Sequence, residues 1–520
     1  MVAPKKRSLK RSAITQTIIA MAVSAGLGFG VVPVAEADAL DRLIDKLKEK
    51  GVISEDEYND VIDIREGEKA VARKRKQAQA EKETLAEERK KTEMDGSFND
   101  GIRWESADST NALSIGGRIQ LDYRNFSGDD ALIANTFDMR RAYLTVQGRL
   151  WDYYTFDVTG DFAGLTGSNS IATTTTCSAD PCTSSNITST TRTDLRQTSH
   201  LDVAWFNVGW WKSAQFRFGQ FKMPMSIEEQ TSSRFIDFQE RSIVNAYVPA
   251  KERGAMVHGN PATGLFYGVA VSTGQGKNNN ENDPTVDGTD FIGRVGVNIA
   301  EMTGQKNAVY HLATAYSTGK IAVSAVPTGR TEGRGNNFFS AAAFTGSDVE
   351  RTRTGLEAAV ALGPVKFQTE YLQAKYSGKS AGASGANYDR GIDAWYASVN
   401  WLISGENYAD SYRNGAFGRI RPKNNFSPKE SGWGAWELGL RYTNFDASDF
   451  KTSNAPGTGV ISSSVTNKAN AYTLGLKWLP TPNTRFLLNY VQTNFDTPIT
   501  VNTKKAEDEK AVTFRAQFDF

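Results

Sequence analysis

From Leu113 to Arg124 the chain alternates with period two: Leu113, Ile115, Gly117, Ile119, Leu121 and Tyr123 fall on one face of an extended strand, with Ser114, Gly116, Arg118, Gln120, Asp122 and Arg124 on the other. Similar stretches recur near 139–150, 152–162, 200–212, 214–222, 253–259, 264–273, 289–300, 309–318, 353–363, 364–377, 390–403, 433–447, 468–480, 482–495 and 509–520. With the first they make about sixteen, an even number of strands roughly ten residues long. One face suits hydrocarbon and the other suits water. The pattern predicts an all-β transmembrane barrel of about 16 antiparallel strands, and a soluble β-sandwich is the plain alternative.

The connections alternate in length, which is a second and independent signal. Trp151-Asp152, Lys212-Ser213, Asn260 to Gly264, Gly363-Pro364 and Pro480 to Pro482 are short; 163–199, 223–252, 274–288, 319–352 and 448–467 are long. Tight turns at one barrel end and long loops at the other produce this alternation. Ser404 to Gly432 breaks it, being long where a short turn is due: either it is a specialised excursion or the strand count is off there. Tryptophans cluster at strand ends (Trp205, Trp210, Trp211, Trp395, Trp401, Trp433, Trp436 and Trp478), as interfacial girdles require. The last strand alternates Val512, Phe514, Ala516, Phe518 and Phe520 with Thr513, Arg515, Gln517 and Asp519, a terminal aromatic pattern similar to the signal read by outer-membrane insertion machinery.

Ahead of the barrel the period changes. Lys5, Lys6, Arg7, Lys10 and Arg11 precede an apolar stretch from Ile14 to Val32 and the small-residue site Ala35-Glu36-Ala37, so residues 1–37 read as a secretory signal peptide. Residues 38–95 read as a charged, helical, coiled-coil-like periplasmic segment: Leu40, Leu43, Ile44 and Leu47 share a face, Ser54 with Glu57 forms a capping box, and Ile53 with Tyr58 stands as its hydrophobic staple. The apolar stripe of Val61, Ile62 and Ile64 fades beyond Glu68, leaving Leu85 almost alone, and no strict heptad persists. These helices either associate or form a solvated tether, with cell-wall contact through residues 39–95 as the second reading. The barrel domain then takes residues 96–520.

Composition narrows the function. Removing residues 1–37 takes five basic and one acidic residue from totals of 60 and 59, leaving 55 against 58, a nearly neutral protein unsuited to nucleic acid. No later run of about 18 apolar residues predicts a transmembrane helix. The two cysteines, Cys177 and Cys182, share a Thr/Ser-rich stretch and are expected to form a disulfide in an oxidising compartment. The three histidines, His200, His258 and His311, have no metal-ligand spacing, and no Ser-His pairing marks a hydrolase. No metal, cofactor or catalytic residue is expected, and the barrel lacks a preceding globular plug of the kind a siderophore receptor needs.

The polar phase of the strands assigns Arg118, Arg124, Arg141, Arg149, Arg217, Arg294, Lys366, Arg441, Lys477 and Arg515 to the lumen, together with Asp122, Asp157, Asp161, Asp202, Glu357, Glu370, Glu437 and Asp519. Facing lipid instead, an Arg or Lys at midplane costs about 2–4 kcal/mol. The plain reading of these charges is cross-strand pairing that keeps the interior wet. The stretch 223–252 is too apolar for a surface loop, since Ile227, Phe235, Ile236, Phe238, Ile243, Val244 and Tyr247 need cover. Folded inward, it sets Arg234, Arg241, Lys251 and Arg253 at the narrowest part of the barrel, accompanied by Glu228, Glu229, Asp237, Glu240 and Glu252.

Phe218-Gly219-Gln220-Phe221-Lys222-Met223-Pro224, Ser232-Ser233-Arg234-Phe235-Ile236, Glu240-Arg241-Ser242, Arg140-Arg141-Ala142, Gly434-Ala435-Trp436-Glu437-Leu438 and Trp478-Leu479-Pro480-Thr481-Pro482 carry a resemblance to the phosphate-selective porin O/P family. The resemblance covers the chain from about residue 100 onward. It implies a trimeric barrel in the outer membrane of a Gram-negative bacterium, with an inward constriction loop and arginines that guide anions; Arg234 and Arg241 match the loop motif. A lysine cluster at the pore mouth is not evident. The expected function is therefore a water-filled channel for small hydrophilic solutes with a modest anion preference, phosphate among the candidates. The alternative is a structural outer-membrane/cell-wall tether whose pore is secondary.

Overall fold

The computed structural model describes residues 34–92, 94–98, 101–127, 135–163, 171–177, 187–194, 200–274, 276–277, 288–346, 349–379, 387–452, 458–501 and 503–520. Most of the predicted signal peptide lies outside them, with Val34 to Ala37 inside the first helix, and so does Cys182 of the predicted disulfide; Cys177 ends a strand.

The chain divides into two units, residues 1–93 and 94–520. The first holds helices α1 (Val34–Glu49) and α2 (Glu55–Thr92). Ser54 and Glu57 close a capping box at the start of α2: the Glu57 amide donates to Ser54 Oγ at 3.3 Å and the Ser54 amide to Glu57 Oε2 at 3.0 Å. Along α2, Ile64, Val71 and Leu85 remain about half exposed.

The second unit begins with a hairpin, β1 (Met94–Phe98) and β2 (Ile102–Ser106), followed by the strands β3 (Ala112–Ser127), β4 (Thr136–Leu150), β5 (Tyr154–Asp161), β6 (His200–Trp211), β7 (Ala214–Lys222), β8 (Lys251–Gly259), β9 (Leu265–Ser272) and β10 (Asp290–Asn298). There follow β11 (Ala308–Ile321), β12 (Val349–Leu362), β13 (Val365–Lys379), β14 (Asn387–Leu402), β15 (Ala435–Asp446), β16 (Lys468–Thr481), β17 (Thr484–Val501) and β18 (Lys504–Asp519). Among the described residues, β3 to β18 form sixteen consecutive antiparallel neighbours, and β18 returns to β3 from Lys510↔Ser127 to Asp519↔Arg118, closing the barrel. The expected sixteen strands are present. Closure removes both sheet edges, which an open sheet in hydrocarbon would leave unpaired.

β2 pairs with β3 from Ile102↔Ile115 to Glu105↔Ala112, where β18 has already ended, so the hairpin continues the sheet along the remaining edge of β3. Strands β14 and β15 pair directly, from Asp393↔Asp446 to Leu402↔Glu437. The long segment between them is thus an excursion from an intact ladder, and the irregular connection length needs no change in strand count.

The period-two pattern sorts side chains as a barrel wall requires. On β3, Ile119 and Leu121 are 48% and 38% exposed on the outside, whereas Gln120 and Asp122 are fully buried. Such depth of burial for polar wall residues means that the interior is filled, and what fills it is the chain's own connections.

Candidate functional site

The connection from β7 to β8 crosses the barrel interior. Met223, Met225, Ile227, Ile236, Phe238, Ile243, Val244 and Tyr247 are buried along it, and Phe235 is half-buried. The loop turns sharply at Ser226, a non-glycine residue at φ 69°, whose hydroxyl accepts from the Glu229 amide and caps the short helix Ile227–Gln230. Four residues of helix leave carbonyls without internal partners. Lys222 Nζ donates to the carbonyls of Glu229, Gln230 and Thr231, and Arg241 donates to those of Glu228 at 2.9 Å, Glu229 at 3.3 Å and Thr231 at 3.0 Å. Arg241, expected at the constriction, therefore holds the loop's own backbone, with Glu229 Oε2 3.1 Å from its guanidinium.

Charged pairs fasten the loop to the wall. Asp237 accepts from Lys366 of β13 at 2.7 and 2.8 Å. Glu228 accepts from Ser242 Oγ at 2.7 Å and from Arg441 of β15 at 3.1 Å, while the Glu228 and Ser226 amides donate to Glu370 and Glu357. Phe238 lies under the Arg441 guanidinium, 4.6 Å from it. Gly439 and Gly475 make room for that ring: a Cβ on either would stand 3.1 or 2.9 Å from it.

Glu240 gathers four guanidiniums: Arg140 at 2.9 Å, Arg515 at 2.9 Å, Arg124 at 3.5 Å and Arg334 at 3.9 Å. Burial by itself pushes the Glu240 carboxyl up, but Arg140 and Arg515, with Arg334 beside them, hold it well below the usual carboxylate range. At Glu228 burial prevails over Arg441 and Ser242, and its carboxyl is raised.

Two further segments enter the barrel. From the β11–β12 connection, Glu332 accepts from Arg441 at 2.6 Å, Thr443 at 2.6 Å and Thr473 at 2.7 Å, and Phe338 and Phe339 are fully buried. From the opposite end comes the excursion between β14 and β15. Tyr412 meets His311 at 2.8 Å, the Gly415 carbonyl accepts from Arg294 at 2.9 Å, and Arg419 pairs with Asp519 and the Pro482 carbonyl. This segment reaches the β7–β8 loop: the Phe417 amide donates to Thr231 Oγ1 at 3.3 Å, and Arg419 lies 5.1 Å from the Phe235 ring.

The basic residues expected in the lumen divide by partner and by exposure. Arg294 grips Glu357 at 2.6 and 3.0 Å, Lys477 lies 2.7 Å from Glu437, and Arg515 binds Asp122 at 2.6 and 2.7 Å. With Lys366 and Arg441 these are buried pairs that hold structure in place. Arg118 donates to Ser233 Oγ at 2.9 Å and lies over Tyr143, Arg141 donates to Gln120 at 2.9 Å, and Arg217 lies 4.2 Å over Trp205. Among the described residues no carboxylate pairs with those three. Arg234 stands 3.9 Å from Asp519, and Lys251, which begins β8 rather than ending the loop, lies 2.5 Å from Asp202. Arg253, also on β8, is half-buried opposite Gln220. Glu332, Arg334 and Arg485 were not singled out by sequence; the first two lie in a connection without period, and Arg485 precedes Leu487-Leu488, where alternation breaks.

A closed barrel, apolar outside and polar within, narrowed by its own inward connections, is a channel wall. Residues 113–520 match the family model described as "Phosphate-selective porin O and P". The chain belongs to that family and is an outer-membrane channel of Gram-negative type. Porin O of Pseudomonas aeruginosa is 24% identical over 454 residues, covering 81% of this chain and 91% of that protein. Among solved structures, the anion-selective porin from Comamonas acidovorans is 12% identical with a TM-score of 0.47, covering 79% of this chain and 100% of that one. The outer membrane channel DcaP of Acinetobacter baumannii is 10% identical with a TM-score of 0.45, covering 79% and 97%.

Proposed function

We propose that the channel passes small hydrophilic solutes by diffusion with a modest preference for anions, inorganic phosphate among them. The observation that carries this reading is the surplus of guanidinium around Glu240. Of the four arginines that face this loop carboxylate, Arg124 and Arg515 also pair with Asp122, and Arg124 with Asp138, so the surplus rests on Arg140 and Arg334, whose side chains keep 20% and 35% of their surface exposed. Arg234, 22% exposed beside Asp519, adds to them. Buried, fully paired cations such as Arg441 offer a passing solute little field, whereas partly exposed cations in a narrow, low-dielectric passage concentrate anions. Lys251 and Arg253 belong to the wall strand β8, with Lys251 paired to Asp202, and Arg241 supports the passage by holding the loop's shape.

The test is the reversal potential of purified channel in a planar bilayer under a salt gradient. Its sign is expected to report anion preference. Arg334→Ala and Arg234→Ala, singly and together, shift it toward cations, most at low salt where screening is weakest. A cation-selective parent channel, or an unchanged potential in the double variant, overturns the reading.

The assembly in this reading is a homotrimer, as the family implies. Ile64, Val71 and Leu85 of α2, half exposed and spaced by seven and fourteen positions, give it an intermittent apolar seam. Mass photometry in detergent should count three copies.

A further inference from the structure

A cavity of about 20 Å³ lies where the β7–β8 loop, the excursion between β14 and β15, and strands β16 to β18 meet. Its lining carries four cations, Arg234, Arg419, Lys477 and Arg485, and a single acid, Asp519. Lys477 already has Glu437 at 2.7 Å, and Asp519 is engaged by Arg419 with Arg234 at 3.9 Å.

Arg485 is different. It is only 4% exposed, and its Nη1 donates to the Ile236 carbonyl at 3.0 Å. Its Nε and Nη2, also buried, have no hydrogen-bond acceptor among the described residues. A guanidinium cannot relieve such a position by losing its proton, and burying charge with unfilled donors is strongly unfavourable. A water molecule would fill the donors but bring no charge, and the acids near Arg485, namely Glu437, Asp519 and Asp237, are already engaged by Lys477, Arg419 and Lys366. An anion fills the donors and brings the charge.

The size of the space selects the anion. A cavity needs roughly 10–15 Å³ by this measure to hold one water-sized particle. About 20 Å³ therefore suits one small spherical ion better than a tetrahedral oxyanion such as phosphate, with four oxygens about its centre. Of the remaining wall, Phe235, Ile420, Leu479 and Pro482 are apolar, with Gly418 and the Gln517 amide beside them, and the apolar part favours a weakly hydrated ion.

We propose that this cavity is a halide site, in which one chloride accepts hydrogen bonds from Arg485 Nε and Nη2 and ties the β7–β8 loop to the opposing excursion and to the wall. The ion is a resident part of the structure and not a solute in transit, so the site stands whether or not the pore prefers anions.

The experiment uses the full-length protein in detergent, moved into sodium gluconate and titrated with sodium chloride or bromide at constant ionic strength, with thermal unfolding as the readout. Binding to the folded state alone raises the midpoint with ligand concentration. The expected result is a saturable rise of several degrees with either halide, no such rise with phosphate, and loss of the response in Arg485→Met but not in Lys468→Met, an exposed cation outside the cavity. Crystals of the parent protein soaked in bromide should show an anomalous peak within hydrogen-bonding distance of Arg485, which keeps the proposal testable if Arg485→Met does not fold. Absence of a halide response in the parent protein, an equal response in Arg485→Met, phosphate acting as well as chloride, or bromide bound only elsewhere would each overturn it.

Discussion

Arg441 of β15 and Glu332 of the β11–β12 connection meet at 2.6 Å with neither side chain more than 2% exposed, and the same guanidinium reaches Glu228 of the β7–β8 loop at 3.1 Å. One wall residue thus fastens two inward segments at once. The charge of Arg441 is the main counterpart of two buried carboxyl groups, so its removal leaves Glu332 with hydroxyl donors and Glu228 with Ser242 and the charge of Arg241.

Arg441→Met is accordingly expected to destabilise the barrel by about 3–5 kcal/mol, the usual result of breaking a buried pair from one side. Adding Glu332→Gln should recover part of that loss, because it removes one of the stranded charges. Urea unfolding in detergent micelles measures both; a single variant within 1 kcal/mol of the parent, on the order of a surface pair, contradicts the assignment.

Gly475→Ala places a Cβ 2.9 Å from the Phe238 ring and 3.2 Å from the Asn489 side-chain amide. Overpacking of this kind costs about 1–3 kcal/mol. The ring and the loop that carries it should shift, changing single-channel conductance with the barrel still assembled. In the background of Phe238→Ala the same substitution should have a much smaller effect, and equal effects in both backgrounds would show that the ring is not what the glycine accommodates.

Glu240 has an ordinary carboxyl value of 4.5 and a folded-state value held well below it. Its contribution to stability is therefore present above pH 4.5 and lost as pH falls from there toward the depressed value. Glu240→Gln should lower the unfolding midpoint at pH 7, and the gap between variant and parent should narrow as the pH is taken below about 4.5. A gap that widens in acid would reverse the sign of the argument.

Replacing residues 404–432 with a short turn should leave β14 and β15 paired, since their ladder is continuous from Asp393↔Asp446 to Leu402↔Glu437. It takes away the contacts of Tyr412, Gly415, Phe417 and Arg419 within the barrel. Conductance is expected to rise. Unchanged conductance in a folded barrel would place the limiting constriction wholly elsewhere.

Removal of residues 38–93, which form a unit separate from the barrel, should preserve conductance in bilayers while weakening trimer assembly. Loss of envelope integrity in cells with pore and assembly both intact would instead favour a tethering role for the helices.

The sequence by itself determined the wall. Alternation such as Ile119-Gln120-Leu121-Asp122 sends successive side chains to opposite faces because a strand repeats every two residues, and the count of such stretches, with the lengths between them, fixed the number of strands and the end at which most long connections lie. It also marked the β7–β8 loop as a segment in need of burial, from its apolar residues alone. The partners of the charges were decided only by the tertiary structure. Arg515 and Asp122 lie 393 positions apart, Arg441 and Glu332 109, and Arg241 turns to carbonyls of its own loop. Nothing local distinguishes an arginine that will close a buried pair from one that will face the passage, because the difference depends on which connections fold inward and what they cover. The excursion between β14 and β15 shows the same limit: its length was visible, but its place inside the barrel follows from Arg294, His311 and Asp519, which only closure of the sheet brings within its reach.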